Sequence, residues 1–209
     1  MRVDLDGEFL EVARPTLAEA LKAGIAAAER RGVLIVGVTA DGRTLEGSEL
    51  EQPSDVPGVF ASVSLLAASP GLLVERTLRE AAAAVDEIRA SQARVAELVD
   101  IGDTTGALEH LKGVFATWSA VREVIDRGGR LLGRDLMAME PASIDAKRPV
   151  EACMLGLTQG LQEVKRALET DDWSLLSDVV GHRLEALATD WSMVLGALAD
   201  EIAGDGGGR

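Results

Sequence analysis

The feature that most constrains the fold of this chain is a pair of apolar stripes in its last third. From Val150 to Leu168, large apolar residues recur every three or four positions, and after the polar break at 170–172 the same spacing continues to Ile202. This period places the apolar side chains on one face of a helix. Because the break is so short, the two helices are expected to be antiparallel neighbours. Two facing stripes still leave apolar surface in water, so the chain needs further helices to cover it.

Two earlier segments supply helices of this kind. Apolar residues follow a heptad spacing from Val74 to Val99, with polar Gln92 as the exception, and a second stripe ends at Ile125. The glycine pair at 128–129 is expected to break or fray that second helix. Four stripes of similar length predict an antiparallel four-helix bundle.

A long, partly ordered connection is predicted between the second and third of these helices, over residues 130–149. It contains two prolines and an apolar patch, which either forms a lid on the bundle or remains exposed as a docking surface. The patch consists of Leu131, Leu132, Leu136, Met137 and Met139.

Two Asp-Gly turns organise the first part of the chain. The pairs at 6–7 and 41–42 each stand between alternating apolar residues, which is typical of a hairpin with a type I′ turn. The sequence around the first turn is echoed around the second, which suggests a repeated supersecondary unit. A helix capped by Thr16 and ended by Gly32 lies between the hairpins, residues 33–38 form a buried strand, and one more strand is predicted at 59–66.

The predicted fold class is therefore α+β. A small N-terminal α+β domain over residues 1–68 contains two hairpins, one helix and one further strand. The antiparallel four-helix bundle follows over residues 69–204, and residues 205–209 form a flexible tail.

Composition restricts the partners and the compartment. The formal charge is −14, from 35 acidic and 21 basic residues, which disfavours nucleic acid and anionic membrane surfaces as partners. No apolar run reaches the roughly 18 residues that a membrane span requires, and the first residues lack the apolar core of a signal peptide. The single cysteine, Cys153, is expected to be a core residue. A cytoplasmic protein is the expectation.

No constellation of catalytic residues is present, so the sequence predicts neither an enzyme nor a cofactor. The two histidines, His110 and His182, lie in different helices. Asp178, His182 and Glu185 share one helix face, but a di-iron bundle would need two Glu-x-x-His motifs and two more inward-facing glutamates. The set is interpreted as a solvated helix face, and no metal is predicted.

Two segments resemble the flagellin-specific export chaperones, the FliS family. Residues 67–74, Ala-Ala-Ser-Pro-Gly-Leu-Leu-Val, are similar to the start of that family's first long helix. Residues 167–179, followed by a helix that reaches Trp191, are similar to its closing hairpin. The resemblance covers about residues 67–203. It implies a non-catalytic chaperone whose apolar grooves hold an amphipathic, otherwise disordered segment of a partner, such as a flagellin-like filament protein.

Two functions from different classes remain open. The first is an export-chaperone-like or adaptor bundle with a groove for a helical partner segment, and tryptophan is enriched at such contacts. The second is a structural module that forms a homodimer through the N-terminal sheet, which an open edge strand would favour. The residues predicted to line the groove are Leu78, Val85, Trp118 and Trp191.

Overall fold

The structure, a computed structural model, describes residues 1–141 and 149–206 and divides the chain into two units, Met1–Leu73 and Val74–Arg209. The first unit contains a mixed sheet, and the second is helical. The predicted α+β class is confirmed. The boundary between the units falls near the start of the first long helix.

The first unit is a five-stranded sheet with one long helix. Its strand order is β2-β1-β5-β3-β4, so the last strand in the chain lies at the centre of the sheet. β5 pairs in parallel with β1 and antiparallel with β3, and each outer strand pairs with its hairpin neighbour. The elements are β1 (Arg2–Leu5), β2 (Glu8–Phe9), α1 (Leu17–Arg31), β3 (Leu34–Ala40), β4 (Arg43–Thr44), α2 (Ser48–Glu51) and β5 (Ser62–Ala68).

Both Asp-Gly turns form as predicted. The φ angles are 52° and 83° at 6–7, and 49° and 79° at 41–42, which are the two positive values that a type I′ turn requires. The match continues beyond the turns. The Leu10 amide donates to the Val3 carbonyl at 2.8 Å, and the Leu45 amide donates to the Val38 carbonyl at 2.9 Å. The two hairpins are therefore structural repeats on either side of β5.

The turn aspartates also bind the central strand. The Asp6 carboxylate accepts a hydrogen bond from the Ala67 amide at 2.9 Å, near one end of β5. The Asp41 carboxylate accepts bonds from the amides of Ala61 and Ser62, the latter at 2.7 Å, near the other end. The amides of Ala61 and then Ser62 hold the pKa of Asp41 below its ordinary value.

α1 covers one face of this sheet. The Thr16 hydroxyl accepts a bond from the Glu19 amide at 3.2 Å, and Gly32 ends the helix in the left-handed conformation at φ 65°, so both predicted ends are confirmed. A Cβ on Gly24 would lie 2.2 Å from the Leu65 Cδ1 atom, so this glycine lets the helix approach β5. The core between helix and sheet contains Val3, Leu5, Leu17, Ala20, Ala27, Ala28, Val38, Ala40, Leu45, Val63 and Leu65.

The second unit contains long helices around one apolar core, which includes Leu136 and Cys153. α3 and the closing helical segment are antiparallel, because Arg79 binds Asp200 at 2.9 Å while Ser177 binds Asp100 at 3.0 Å. The elements are α3 (Pro70–Asp100), α4 (Thr104–Leu132), α5 (Val150–Glu169), α6 (Trp173–Asp178), a π-helical turn (Val179–Leu184) and α7 (Glu185–Gly206).

The predicted break of α4 at its glycine pair is wrong. The helix continues to Leu132, and both glycines are buried. A Cβ on Gly128 would lie 3.0 Å from Val74 Cγ1, and one on Gly129 would lie 2.8 Å from the Arg134 carbonyl oxygen. These glycines therefore serve close packing.

Other boundaries also differ from the prediction, and the last strand, predicted at 59–66, is observed at Ser62–Ala68. The closing helix is interrupted by the π-helical turn, and α7 extends to Gly206, so the first two residues of the predicted tail are helical. Residues 207–209 of that tail, and residues 142–148 of the predicted connection, lie outside the described residues. Leu136 is buried in the helical core, and Leu132, Met137 and Met139 pack against that core, which agrees with the lid interpretation. Leu131 of the same patch is 42% exposed.

Candidate binding surface

The four side chains predicted to line a groove are core residues of the helical unit. Leu78, Val85 and Trp191 are 0% exposed, and Trp118 is 1% exposed. The structure thus brings them into one core, as their helical spacing requires. They do not line an open groove in this conformation, because a partner helix could reach them only if the helices separated. Periodicity identified the inward face correctly, but the inward face is fully covered.

This core also contains polar atoms without partners. Gln92 is 0% exposed, and neither its Oε1 nor its Nε2 atom has a hydrogen-bond partner among the described residues. The indole nitrogens of Trp118 and Trp191 are buried in the same way. Buried polar atoms without partners are destabilising. Gln92, the polar exception in the apolar stripe of α3, is therefore a buried polar residue of the core.

The outer surface of the helical unit has a polar pocket among the described residues. It holds about 280 Å³, and Arg183 forms an ion pair with Glu163 at its wall. The remaining lining residues are Gln159, Gln162 and Arg166. Nothing in this lining favours an amphipathic helix, which needs apolar side chains to contact.

A different surface, in the first unit, has the character of a binding site. β3 pairs with β4 only at Thr39 and Ala40, and the Leu45 amide extends the pairing by one bond to Val38. On this side, residues 34–37 of β3 have no strand neighbour within the described part of the chain. Leu34 is 39% exposed and Val36 is 46% exposed, so apolar side chains accompany the open backbone.

An apolar pocket adjoins this open edge. It holds about 510 Å³, within the range of about 300–1,000 Å³ that is typical of ligand pockets. α1 forms one wall, β3 the other, and Leu50 of α2 closes one side. The lining residues are Leu21, Ile25, Ala28, Glu29, Val33, Leu34, Ile35, Val38 and Leu50. We refer to the open edge at residues 34–37 together with this pocket as the β3 edge surface.

The rim of the β3 edge surface is acidic. Glu29 of α1 lines the pocket, and Glu46 lines a neighbouring pocket that shares Leu50 and much of β3. Both residues are exposed, and neither makes an ion pair within residues 1–141 and 149–206. The nearby Arg43 is already bound by Glu49 through two hydrogen bonds, which raise the arginine pKa and lower the glutamate pKa. The free charge at this rim is therefore negative.

The opposite edge of the sheet is protected. β1 has only four residues, and β2 pairs with Asp4 and Leu5 while Leu10 binds Val3. The two repeated hairpins differ in the length of their first strand, since β3 has seven residues. The open edge of β3 is the part that extends beyond the repeat.

The sequence analysis missed this surface because it predicted residues 33–38 as a buried strand. The structure corrects that prediction, since Leu34 and Val36 are exposed. The physical reason is the short length of β4 in the structure. Only Arg43 and Thr44 follow the second turn before the chain leaves the strand direction, so β4 is too short to cover seven residues of β3.

The three residues that share a face of the last helix in the sequence lie around its π-helical turn in the structure. Asp178, His182 and Glu185 are spread over α6, the π-helical turn and the start of α7, and Glu185 is bound to Arg89 at 2.6 Å. Within the described ranges, no group of three His, Cys, Asp or Glu side chains could hold a metal ion. In those same ranges, no helix has the length and apolar character needed to cross a bilayer.

Comparison with protein-family models, curated proteins and solved structures finds no match to this chain.

Proposed function

We propose that this chain is a non-catalytic binding protein that holds a partner protein at the β3 edge surface. The single observation that carries the proposal is the open edge of β3 beside an apolar pocket. Unpaired strand edges bind further strands, because their N–H and C=O groups remain available for hydrogen bonding. The expected place of action is the cytoplasm.

The composition of β3 supports a role in binding. Natural proteins protect exposed strand edges with charged residues, proline or very short strands. The segment from Val33 to Ala40 contains no charge and no proline, and β3 is seven residues long. An edge of this kind would promote aggregation if it had no partner.

The helical unit is proposed to be an antiparallel four-helix bundle, as its four apolar stripes predict. In an export-chaperone-like or adaptor protein, a partner helix would enter the groove of Leu78, Val85, Trp118 and Trp191 only after the helices part. This cost makes the β3 edge surface the better candidate for first contact.

Homodimerisation through the N-terminal sheet is the second candidate. The same open edge of β3 favours a homodimer, since two copies could pair their β3 strands across a two-fold axis. An apolar surface on each copy would then be covered by the other.

Site-specific photo-crosslinking in cells of the native host tests the proposal. A benzoylphenylalanine replaces Val36, which is 46% exposed at the β3 edge surface, or Leu155, which is 59% exposed on α5. The expected result is an adduct with another protein at Val36 only, and its loss when Ile25→Lys places a charge in the pocket. Equal adducts at both positions, or no adduct at Val36, would contradict the proposal. An adduct of twice the chain mass supports the homodimer.

A further inference from the structure

We infer that the occupant of the β3 edge surface is an extended segment of another protein, added as a strand beside β3, with alternating apolar side chains and a basic residue near its ends. This inference rests on the proposed function and specifies its partner.

The position of β4 defines where the added strand lies. β4 occupies the neighbouring position along Thr39 and Ala40, and the chain leaves it after Leu45. The neighbouring position beside residues 34–37 of β3 holds no strand within the described part of the chain. At about 3.3 Å per residue, four residues of an incoming strand would occupy this position along β3.

The pocket then receives the side chains of that strand. α1 extends over the space beside β3, and Leu21, Ile25 and Leu50 face the pocket. Successive side chains of a strand point to opposite faces, so every second residue of the segment would enter this pocket. Ile25 is 52% exposed, and an apolar side chain in the pocket would cover it. This geometry selects an alternating apolar pattern.

The rim selects the charge of the segment. Glu29 lies on α1 and Glu46 follows β4, so carboxylates flank the open edge of β3. The whole chain carries a formal charge of −14, which adds to the attraction for a cationic segment. Lysine or arginine at the ends of the segment would face these carboxylates.

A second copy of this chain fits less well. Antiparallel pairing centred on Val36 would place Leu34 of one copy opposite Val38 of the other. The Val38 carbonyl already accepts the Leu45 amide, so β4 and the residues after it obstruct that position. By symmetry the obstruction occurs twice, which leaves Ile35, Val36 and Gly37 for pairing. These three residues include the irregularity between Ile35 and Gly37, where Val36 has no partner on β5.

Titration of the full chain with labelled peptides tests the inference. The probe is a capped peptide with valine at alternate positions, serine between them and lysine at both ends. One control peptide has glutamate in place of lysine, and another has proline at its centre, which removes an N–H group and blocks strand pairing. The lysine peptide is expected to bind, the glutamate peptide at least about tenfold more weakly, and the proline peptide not at all.

Variants of the protein locate the binding. Val36→Lys and Ile25→Lys are each expected to weaken binding of the lysine peptide by about tenfold or more, since each removes apolar contact and adds positive charge. Val56→Lys is the matched control, because Val56 is 61% exposed and lies outside the pocket, and its affinity should stay within about twofold. Circular dichroism melts establish that each variant is folded.

The outcomes separate this inference from the proposed function. If no alternating peptide binds at about 1 mM while crosslinks from Val36 to another protein persist, the extended-strand inference is overturned and the proposed function stands. If the proline peptide binds as well as the lysine peptide, strand addition is overturned. If crosslinks from Val36 yield only dimers of this chain, the occupant is a second copy, which also overturns the inference.

Discussion

Replacing the buried Gln92 of α3 with methionine is expected to stabilise the helical unit. Gln92 is 0% exposed, and both polar atoms of its amide lack partners within the described residues. A buried polar group without a hydrogen bond costs about 1–3 kcal/mol. Methionine has a similar length and no such group, and its flexible side chain adapts to irregular spaces. Methionine has one heavy atom fewer, and a void of this size costs about 1 kcal/mol.

With the cost of the void subtracted, the net gain in the free energy of unfolding is therefore up to about 2 kcal/mol. Urea unfolding followed by tryptophan fluorescence measures it. All three tryptophans, Trp118, Trp173 and Trp191, belong to the helical unit, so their signal reports on this unit and not on the sheet. With a slope of about 1–3 kcal/mol per M urea, the midpoint should rise by up to roughly 1 M.

An exposed glutamine provides the control. Gln159 lies on the surface of α5, and Gln159→Met should change the free energy of unfolding by less than about 0.5 kcal/mol. A lower midpoint for Gln92→Met, with the control unchanged, would refute the reasoning. It would show that the Gln92 amide has hydrogen-bond partners in solution, for which a buried water is the simplest source.

Three further changes test the first unit. Gly24→Ala should destabilise this unit by about 1–3 kcal/mol in thermal melts, because the new Cβ would lie 2.2 Å from Leu65 Cδ1. Gly113→Ala is the control in α4: no atom lies within 4 Å of its new Cβ, so this change should stabilise α4 by up to about 1 kcal/mol. A higher melting temperature for Gly24→Ala would contradict the expected clash with Leu65. Thr16→Ala should cost about 1 kcal/mol by removing the cap of α1, and an unchanged melting temperature would argue against it. Asp41 has a lowered folded pKa, so its contribution is present above the unfolded pKa and is lost as pH falls through the folded value. The acid-induced loss of sheet stability below about pH 4 should be smaller in Asp41→Asn, as measured by amide exchange in β5, and an identical pH profile would contradict it.

Local chemistry made much of the fold predictable from the sequence. The Asp-Gly pairs specified both turns, because few other residues adopt two consecutive positive φ angles. Thr16 and Gly32 marked the ends of α1 for equally local reasons. The apolar stripes of α3 and α4 identified the inward faces, and residues such as Val85 and Trp118 are buried.

The β3 edge surface was less predictable, because the exposure of a residue depends on which neighbour covers it. The segment around Val36 has the apolar composition of a central strand, and only the pairing of β4 shows that this edge is open. The groove predicted in the helical unit shows the opposite error. Trp118 and Trp191 are the kind of residues found at binding contacts, but here other helices cover them. The role of Gly128 is hidden in the sequence for the same reason, because Val74, which its Cβ would contact, is distant along the chain.

The central position of β5 has a consequence for synthesis of the chain on the ribosome. β1 at Arg2–Leu5 acquires its parallel neighbour only when Ser62–Leu65 has been made, and β3 needs the same strand. Until then the two hairpins are separate, and isolated hairpins are marginally stable in water. The uncharged β3 segment therefore stays uncovered from its own synthesis until β5 has been made, the interval in which chaperones and aggregation compete. A nascent chain halted at residue 60 should remain sensitive to protease, whereas one in which β5 has emerged should resist it.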